Sequence, residues 1–433
     1  MRSVGALKNA TAALVGTTAL ATVLVLLAAG PVAAQSVFVS SNAPIDAKPT
    51  DGRRPASAKA NSETGAMTFG DFIVSGQLIA GGVYNDNLYQ SRYNKVSDWG
   101  INFQPSFKVD RSVGLHTTSL TGVLSSQFYL NNSNGNTTTG NLALSHIYEV
   151  QRDLVAYVQG HVARNLNTNP SIYTGLNVRL DPSYFNEEYL SGSLEKSFDR
   201  FSVGMGAQIL GQQYDNISDT AGRRYQLNGN DGTATTVIAR FGYAVTPTIK
   251  AFVQPSYNWQ NFNASLNNSQ GYTIVAGLQT DRIGLFRGEI YGGFASQDFT
   301  NLNRTRTAPT FGGSISYFPT RDLTFTASLT QNFGLTQGVA FQGGTGQTTT
   351  ASLSAQYAFS QTLTLGANIG YSQISYDQSA QKQEQWGAGV TANYMFSAHL
   401  GVNAGYSFTR VEYNIGPGGY DRNLVTLGAT ARF

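Results

Sequence analysis

From about Phe69 onward the chain alternates apolar and polar positions with a period of two, almost without a break. Leu323, Phe325, Ala327 and Leu329 alternate with Thr324, Thr326, Ser328 and Thr330. Ala351, Leu353, Ala355, Tyr357 and Phe359 alternate with Thr350, Ser352, Ser354 and Gln356. The last residues follow the same rule: Val425, Leu427, Ala429, Ala431 and Phe433 fall on one side, and Thr426, Gly428, Thr430 and Arg432 on the other. The polar partners are small and uncharged. That suits a wall facing water on one side and an apolar medium on the other, rather than the charged exterior of a soluble sheet.

The connections between these segments alternate in length. Short ones include Asp110–Leu115, Arg152–Leu154, Asp199–Phe201 and Ser397–His399. Between them lie longer polar ones, such as Asn85–Ser97, Asn216–Gly232, Asn301–Thr307 and Asn414–Arg422. Short turns at one end and long loops at the other define a transmembrane, antiparallel, up-and-down β-barrel. The count predicts an all-β fold of about 18 strands, with 16 as the alternative. The C-terminal strand closes the ring, and both termini are expected in the periplasm. No external loop exceeds about 17 residues, so no large constriction loop stands out.

Composition agrees. Only 12% of the 433 residues are charged, while Gly, Tyr and Phe number 47, 23 and 24. Residues 1–34 combine Arg2 and Lys8, an apolar run from Ala12 to Ala29 and small residues up to Ala34, the pattern of a signal peptide. Residues 35–66 show no period and are expected to be a flexible periplasmic segment; the barrel is assigned to 67–433. Without residues 1–34 the net charge falls from +3 to about +1, which leaves no footprint for nucleic acid. The absence of Cys excludes thiolate metal sites and Cys nucleophiles.

A closed barrel needs its last strand to cross fully, and Phe433 fits an interfacial aromatic girdle together with Phe107, Phe198, Phe201, Phe318 and Phe396. The set Val425, Leu427, Ala429, Ala431 and Phe433 also resembles the C-terminal signal of bacterial outer-membrane barrels, which implies the barrel-assembly machinery as a partner during biogenesis. The stretches GGVYNDNLYQ (81–90), SDWGINFQPSFKVD (97–110) and IYEVQRDLVAYVQG (147–160) resemble the beta-barrel porin 2 family of proteobacterial outer membranes. The Tyr84-Asn85-Asp86-Asn87 run, the Pro105 strand and the Arg152-Asp153 turn carry the match, which extends from about residue 70 to the end. The resemblance implies a pore-like barrel, with some members tied to polysaccharide export or uptake, and no catalytic residues.

Chemistry is sparse. His116, His146, His161 and His399 are too scattered to suggest a metal site, and no short Ser/His/Asp motif appears. His146 sits among Leu142, Leu144 and Tyr148, as a lipid-face anomaly or a register shift. No catalytic residue, cofactor or metal is assigned. Alternation points Lys108, Glu187, Glu195, Arg240, Lys250, Arg287 and Glu289 into the lumen, where charge tunes which solutes pass. Arg287 and Glu289 share a face, so their charges partly cancel. Tyr129, Tyr157 and Tyr291 offer stacking faces for sugar rings. Arg223-Arg224 and Arg304-Thr305-Arg306 are placed in loops, within reach of lipopolysaccharide phosphates.

The reading that follows is an outer-membrane, porin-like channel, not an enzyme, for passive diffusion of small hydrophilic solutes, saccharides among them. The alternatives are a conduit or accessory for extracellular polysaccharide export and a closed structural barrel. Outer-membrane lipid and lipopolysaccharide surround it, and a homo-trimer is the assembly to test.

Overall fold

A computed structural model describes residues 66–433 apart from 168–180, 220–221, 336–344, 377–379, 381 and 415–418. The expected signal peptide (1–34) and all but the last residue of the segment 35–66 lie outside the described residues.

Eighteen strands form the wall. They are β1 Phe72–Asn85, β2 Asp98–Val113, β3 His116–Tyr129, β4 Thr137–Gln151, β5 Leu154–Asn167 and β6 Ser183–Phe198. There follow β7 Phe201–Tyr214, β8 Gly232–Ala244, β9 Ile249–Phe262, β10 Ser269–Ile283, β11 Phe286–Phe299 and β12 Arg304–Tyr317. The last six are β13 Leu323–Leu335, β14 Thr345–Ala358, β15 Leu363–Tyr376, β16 Lys382–Met395, β17 Leu400–Tyr413 and β18 Gly419–Arg432. Each pairs antiparallel with the next, and β18 pairs with β1 from Gln77–Arg432 to Asn85–Leu424. The ring is therefore closed, which removes the free edges that a membrane would not tolerate. One further strand, Met67–Phe69, folds back on the start of β1 outside the ring.

At one end the connections are tight. Several are two-residue turns, and positive φ falls where they require it: Gly114 at 58°, Gly284 at 60° and Asp199 at 52°. At the other end the strands run further than the sequence pattern suggests. Arg304–Thr307 and Gly419–Arg422, whose polarity places them in the loops Asn301–Thr307 and Asn414–Arg422, are strand. A neighbour supplies their hydrogen bonds whether or not their side chains alternate.

The closing contact is held at both ends. At the turn end Gly76 N–H donates to Phe433 O (2.7 Å) and Phe433 N–H to Gly76 O (3.0 Å). The Phe433 ring covers Gly76 so closely that a Cβ there would lie 2.0 Å from its Cζ. At the loop end Asn423 donates from its backbone N–H and from Nδ2 to the Asp86 carboxylate, both at 2.6 Å. Asn87 Nδ2 donates to Asp421 O at 2.8 Å. Asn85 donates to the Tyr129 hydroxyl (3.1 Å), and the Tyr84 ring meets Trp99 at 4.8 Å. The Tyr84–Asn87 run thus ties the end of β1 to β2, β3 and β18.

Outward positions between the strand ends are mostly apolar, with aromatic rings in two belts. Tyr257–Trp259, Tyr272–Phe294 and Tyr371–Trp386 mark the loop-end belt. Phe201–Tyr243, Phe286–Tyr317 and Tyr394–Phe396 mark the turn-end belt, where Phe198 and Phe433 are also exposed. Trp386 and Tyr394 are eight residues apart on one strand, which on a tilted strand spans roughly 20 Å and matches a lipid-facing band.

His146 is no register shift. It faces outward at the turn end, bonded to Thr118 Oγ1 (2.8 Å) and stacked beside His116, whose Nδ1 lies 3.3 Å from its Nε2.

Candidate functional site: the barrel lumen

The lumen has two unlike halves. In the turn half, inward side chains are polar, and their charges are confined to one side of the wall. The inward faces of β13 to β17 carry no Asp, Glu, Lys, Arg or His among the described residues; they present Ser, Thr, Asn, Gln and Gly, as in the Ser328–Ser352 hydroxyl pair at 2.7 Å. On β2 to β11 the same level is charged.

Arg240 dominates that side. From β8 its Nη2 donates to Glu289 Oε2 on β11 (2.8 Å) and to Gln279 Oε1 on β10 (3.1 Å), and Nη1 donates to Gln254 Oε1 on β9 (3.3 Å). Its guanidinium lies 3.7 Å from the centre of the inward Phe252 ring. The Arg240–Glu289 pair is only 11% and 13% exposed. Its side chain runs along the wall away from β7, where Gly204 stands beside it in register. Arg287 and Glu289 do share a face, but the ion partner of Glu289 is Arg240, three strands away.

The other expected lining residues are all on inward positions of their strands. Lys108 is ion-paired with Asp110, which also accepts from Ser119 Oγ at 2.6 Å. Glu187 accepts from His161 Nε2 (2.9 Å) and Gln212 Nε2 (2.8 Å). Glu195 lies further toward the turns on β6, and Lys250 stands opposite Gln279. The three tyrosines are packed against the wall. Tyr157 is buried and donates to Gln159 (2.7 Å). Tyr291 lays its hydroxyl over Gly312, where a Cβ would be 2.5 Å away. Tyr129 donates to Gln127 (2.9 Å) and belongs to a buried cluster with Val83, Leu88 and Leu424.

The loop half is mixed inside: a buried amide network joins Gln297 to Asn258 (3.0 Å) and Ser269 (2.9 Å), and an apolar cluster lies on another part of the wall. Here a large inward-folded loop corrects the expectation from loop length. The described residues of the connection between β7 and β8 turn into the barrel, carrying a small strand pair, Ile217–Ser218 with Arg224–Tyr225. Ile217 and Leu227 are 0% and 1% exposed. They form one cluster with Phe185 and Tyr214 on β6 and β7 and with Ile374 and Tyr376 on β15. Strand β15 is eight places round the ring from β7, so this loop reaches almost to the opposite wall. Burying each of those aliphatic side chains contributes roughly 1.5–3 kcal/mol. Asp231 fixes the base of the loop by accepting from Tyr214 N–H at 2.7 Å. Burial, with Asp215 close by, raises its carboxyl above the usual range. The sequence carried one signal for this: Ile217 and Leu227 are isolated aliphatics in an otherwise polar connection.

Two further arginine sites are also displaced from the loop tips. Arg304 and Arg306 lie in β12 opposite Phe299 and Gln297, on inward positions at the mouth. Arg223 and Arg224 ride on the inward-folded connection.

A closed antiparallel barrel with a lipid-facing exterior, two aromatic belts and a polar inner wall defines an outer-membrane channel-type protein. The family model described as "Putative beta-barrel porin 2" matches residues 62–433, and the chain belongs to that family. No curated protein matches the chain significantly. Among solved structures it is similar to OccK1 (OpdK) of Pseudomonas aeruginosa, with 12% identity over 83% of this chain and 98% of that one and a TM-score of 0.41. It is similar also to a BenF-like porin from Pseudomonas fluorescens Pf-5, with 11% identity over 84% and 100% of the two chains and a TM-score of 0.41.

Proposed function

We propose that this porin-family barrel is a channel for passive diffusion of small hydrophilic solutes, with its rate set by the Asp215–Asp231 loop. The polar, Arg240-centred turn half of the lumen carries this reading. It offers a hydrated path whose inward groups are already hydrogen-bonded, so a passing solute exchanges water contacts for wall contacts without binding tightly. The lining set is Lys108, Tyr157, Glu187, Glu195, Arg240, Lys250, Arg287, Glu289 and Tyr291, with Tyr129 at the rim. Hydroxyls on β13 to β17 opposite this charged side suit polyhydroxy solutes such as saccharides.

In this reading residues 1–34 are a cleaved signal peptide, 35–66 a periplasmic segment, and both termini periplasmic. The set Val425, Leu427, Ala429, Ala431 and Phe433 acts as the assembly signal for the barrel-assembly machinery. Lipopolysaccharide meets the outer face above the loop-end belt, where Arg164–Asp215 and Arg410–Glu412 pairs lie exposed. Cross-linking in membranes tests a homo-trimer.

Single-channel recording of the refolded protein tests the main reading. Stable conductance steps, reduced by added oligosaccharides, are expected. A folded barrel that gives no steps would contradict it.

A further inference from the structure

One strand contact differs from the other seventeen. The β12–β13 ladder runs only from Tyr317–Phe325 to Phe311–Gln331. Yet β12 stays paired to β11 as far as Arg304, and β13 stays paired to β14 as far as Leu335. Among the described residues a slot therefore separates β12 from β13 in the loop half.

Pro309 explains where the ladder stops. Gln331 Nε2 donates to Pro309 O at 3.4 Å, so the carbonyl of Pro309 faces β13. The backbone nitrogen of an extended residue points the same way as its carbonyl, and in proline it has no hydrogen to give. Thr310 Oγ1 compensates by donating to Gln331 O at 2.8 Å. Pro309 stands opposite Phe294, a member of the loop-end aromatic belt. The slot thus opens at the interface, where water and headgroups can solvate two bare strand edges, rather than in hydrocarbon.

On the lumen side the slot is filled by an apolar contact. Alternation would turn Phe333 outward with Leu329 and Gln331. Instead it is 4% exposed and packs with Ala295 of β11 and Ala308 of β12, so the end of β13 is tucked inside its neighbour. Polar groups await a partner next to it. Asn332 and Thr348 face each other in register, and Asn332 Oδ1 and Thr348 Oγ1 are buried without a hydrogen bond. Across the slot, nearer the loop end of β12, the inward Arg304 and Arg306 have no acidic partner among the described residues.

We propose that this slot is a lateral passage between lumen and outer-leaflet interface for single-chain amphiphiles with a carboxylate head. The two guanidinium groups suit a carboxylate, to which the Thr348 hydroxyl can also donate, and the Asn332 amide oxygen can accept from a water that travels with the head group. The Phe333–Ala295–Ala308 contact suits an alkyl chain and opens when the ring swings aside. A channel for hydrophilic solutes alone has no use for a bare pair of edges, which invite unwanted pairing. The passage is independent of the axial path, so ordinary conductance steps leave it unaffected.

The test uses Phe333→Trp in a background where Trp99, Trp259 and Trp386 are replaced by Phe. This protein, in liposomes, is given lipids brominated high on their chains and then dansyl-undecanoic acid or its methyl ester. The passage predicts quenching of the Trp emission by brominated lipid. It predicts energy transfer to the acid but not the ester, and affinity about tenfold weaker in Arg304→Gln/Arg306→Gln. Calorimetry of undecanoate against methyl undecanoate, with the native residue at 333, repeats the comparison if the reporter fails to fold. Absence of bromolipid quenching overturns the lateral route. Equal binding of acid and ester, no binding of either, or indifference to the arginine change overturns the site.

Discussion

The two halves of the lumen solve opposite problems with the same strands. In the turn half, inward residues are polar and make their bonds along the wall, as Arg240 does across four strands to Glu289. In the loop half, inward residues such as Phe185, Tyr214, Ile374 and Tyr376 are apolar and make contacts across the barrel, with Ile217 and Leu227 as the link. A wall whose polar groups satisfy one another keeps its centre open to water. An apolar patch such as the one on β6, β7 and β15 must be covered, and a loop is the nearest cover. Among the described residues the turn half of the lumen therefore carries no inward-folded loop, whereas Ile217 and Leu227 cross the loop half.

Closure supports both halves, so breaking it has the largest effect. Gly76→Leu places a side chain where the Phe433 ring lies. We expect loss of the heat-resistant folded form on gel electrophoresis, whereas Gly82→Leu, on an open outer position, is expected to fold. Next comes the link itself. Ile217→Ser with Leu227→Ser removes two fully buried side chains, roughly 1.5–3 kcal/mol each, and is expected to raise single-channel conductance several-fold while the barrel still folds.

A smaller effect is expected in the turn half. Arg240→Ala removes the Arg240–Glu289 ion pair, a change on the order of 1–3 kcal/mol locally. Its reversal potential in a salt gradient is expected to shift toward cation preference by a few-fold, and Ser352→Ala on the uncharged side by far less.

The smallest effect is pH-dependent. Asp231 has its carboxyl raised by burial, so its neutral form favours the docked loop. Docking is then strongest below the usual carboxylate range and weakens as pH rises through the raised value. Conductance is expected to fall modestly on acidification, and Asp231→Asn to flatten that dependence while keeping an acceptor for Tyr214 N–H.

The architecture was legible because alternation reports directly which face meets lipid. The strand number, the ring closure and the outward set Val425, Leu427, Ala429 and Ala431 all follow from it. The Tyr84–Asn87 run was visible as a motif, but its work was not, since its partners Tyr129, Asp421 and Asn423 are set by the ring rather than by neighbouring sequence. The loop plug was hidden for a similar reason. Loop length tells nothing of whether two aliphatics find an apolar wall, and that wall comes from β6, β7 and β15 together. The Arg240–Glu289 pair spans three strands, beyond the reach of a same-strand spacing argument. Pro309 was plain in the sequence, whereas the direction of its missing donor depends on which neighbour its backbone faces.

The most direct test of the two-sided lumen is polymer exclusion. Polyethylene glycols of graded size, added to one side at a time, are scored by their effect on single-channel conductance. The account predicts that intermediate polymers enter from the turn side and lower conductance, while the same polymers on the loop side have no effect. Equal size cut-offs from both sides would contradict it.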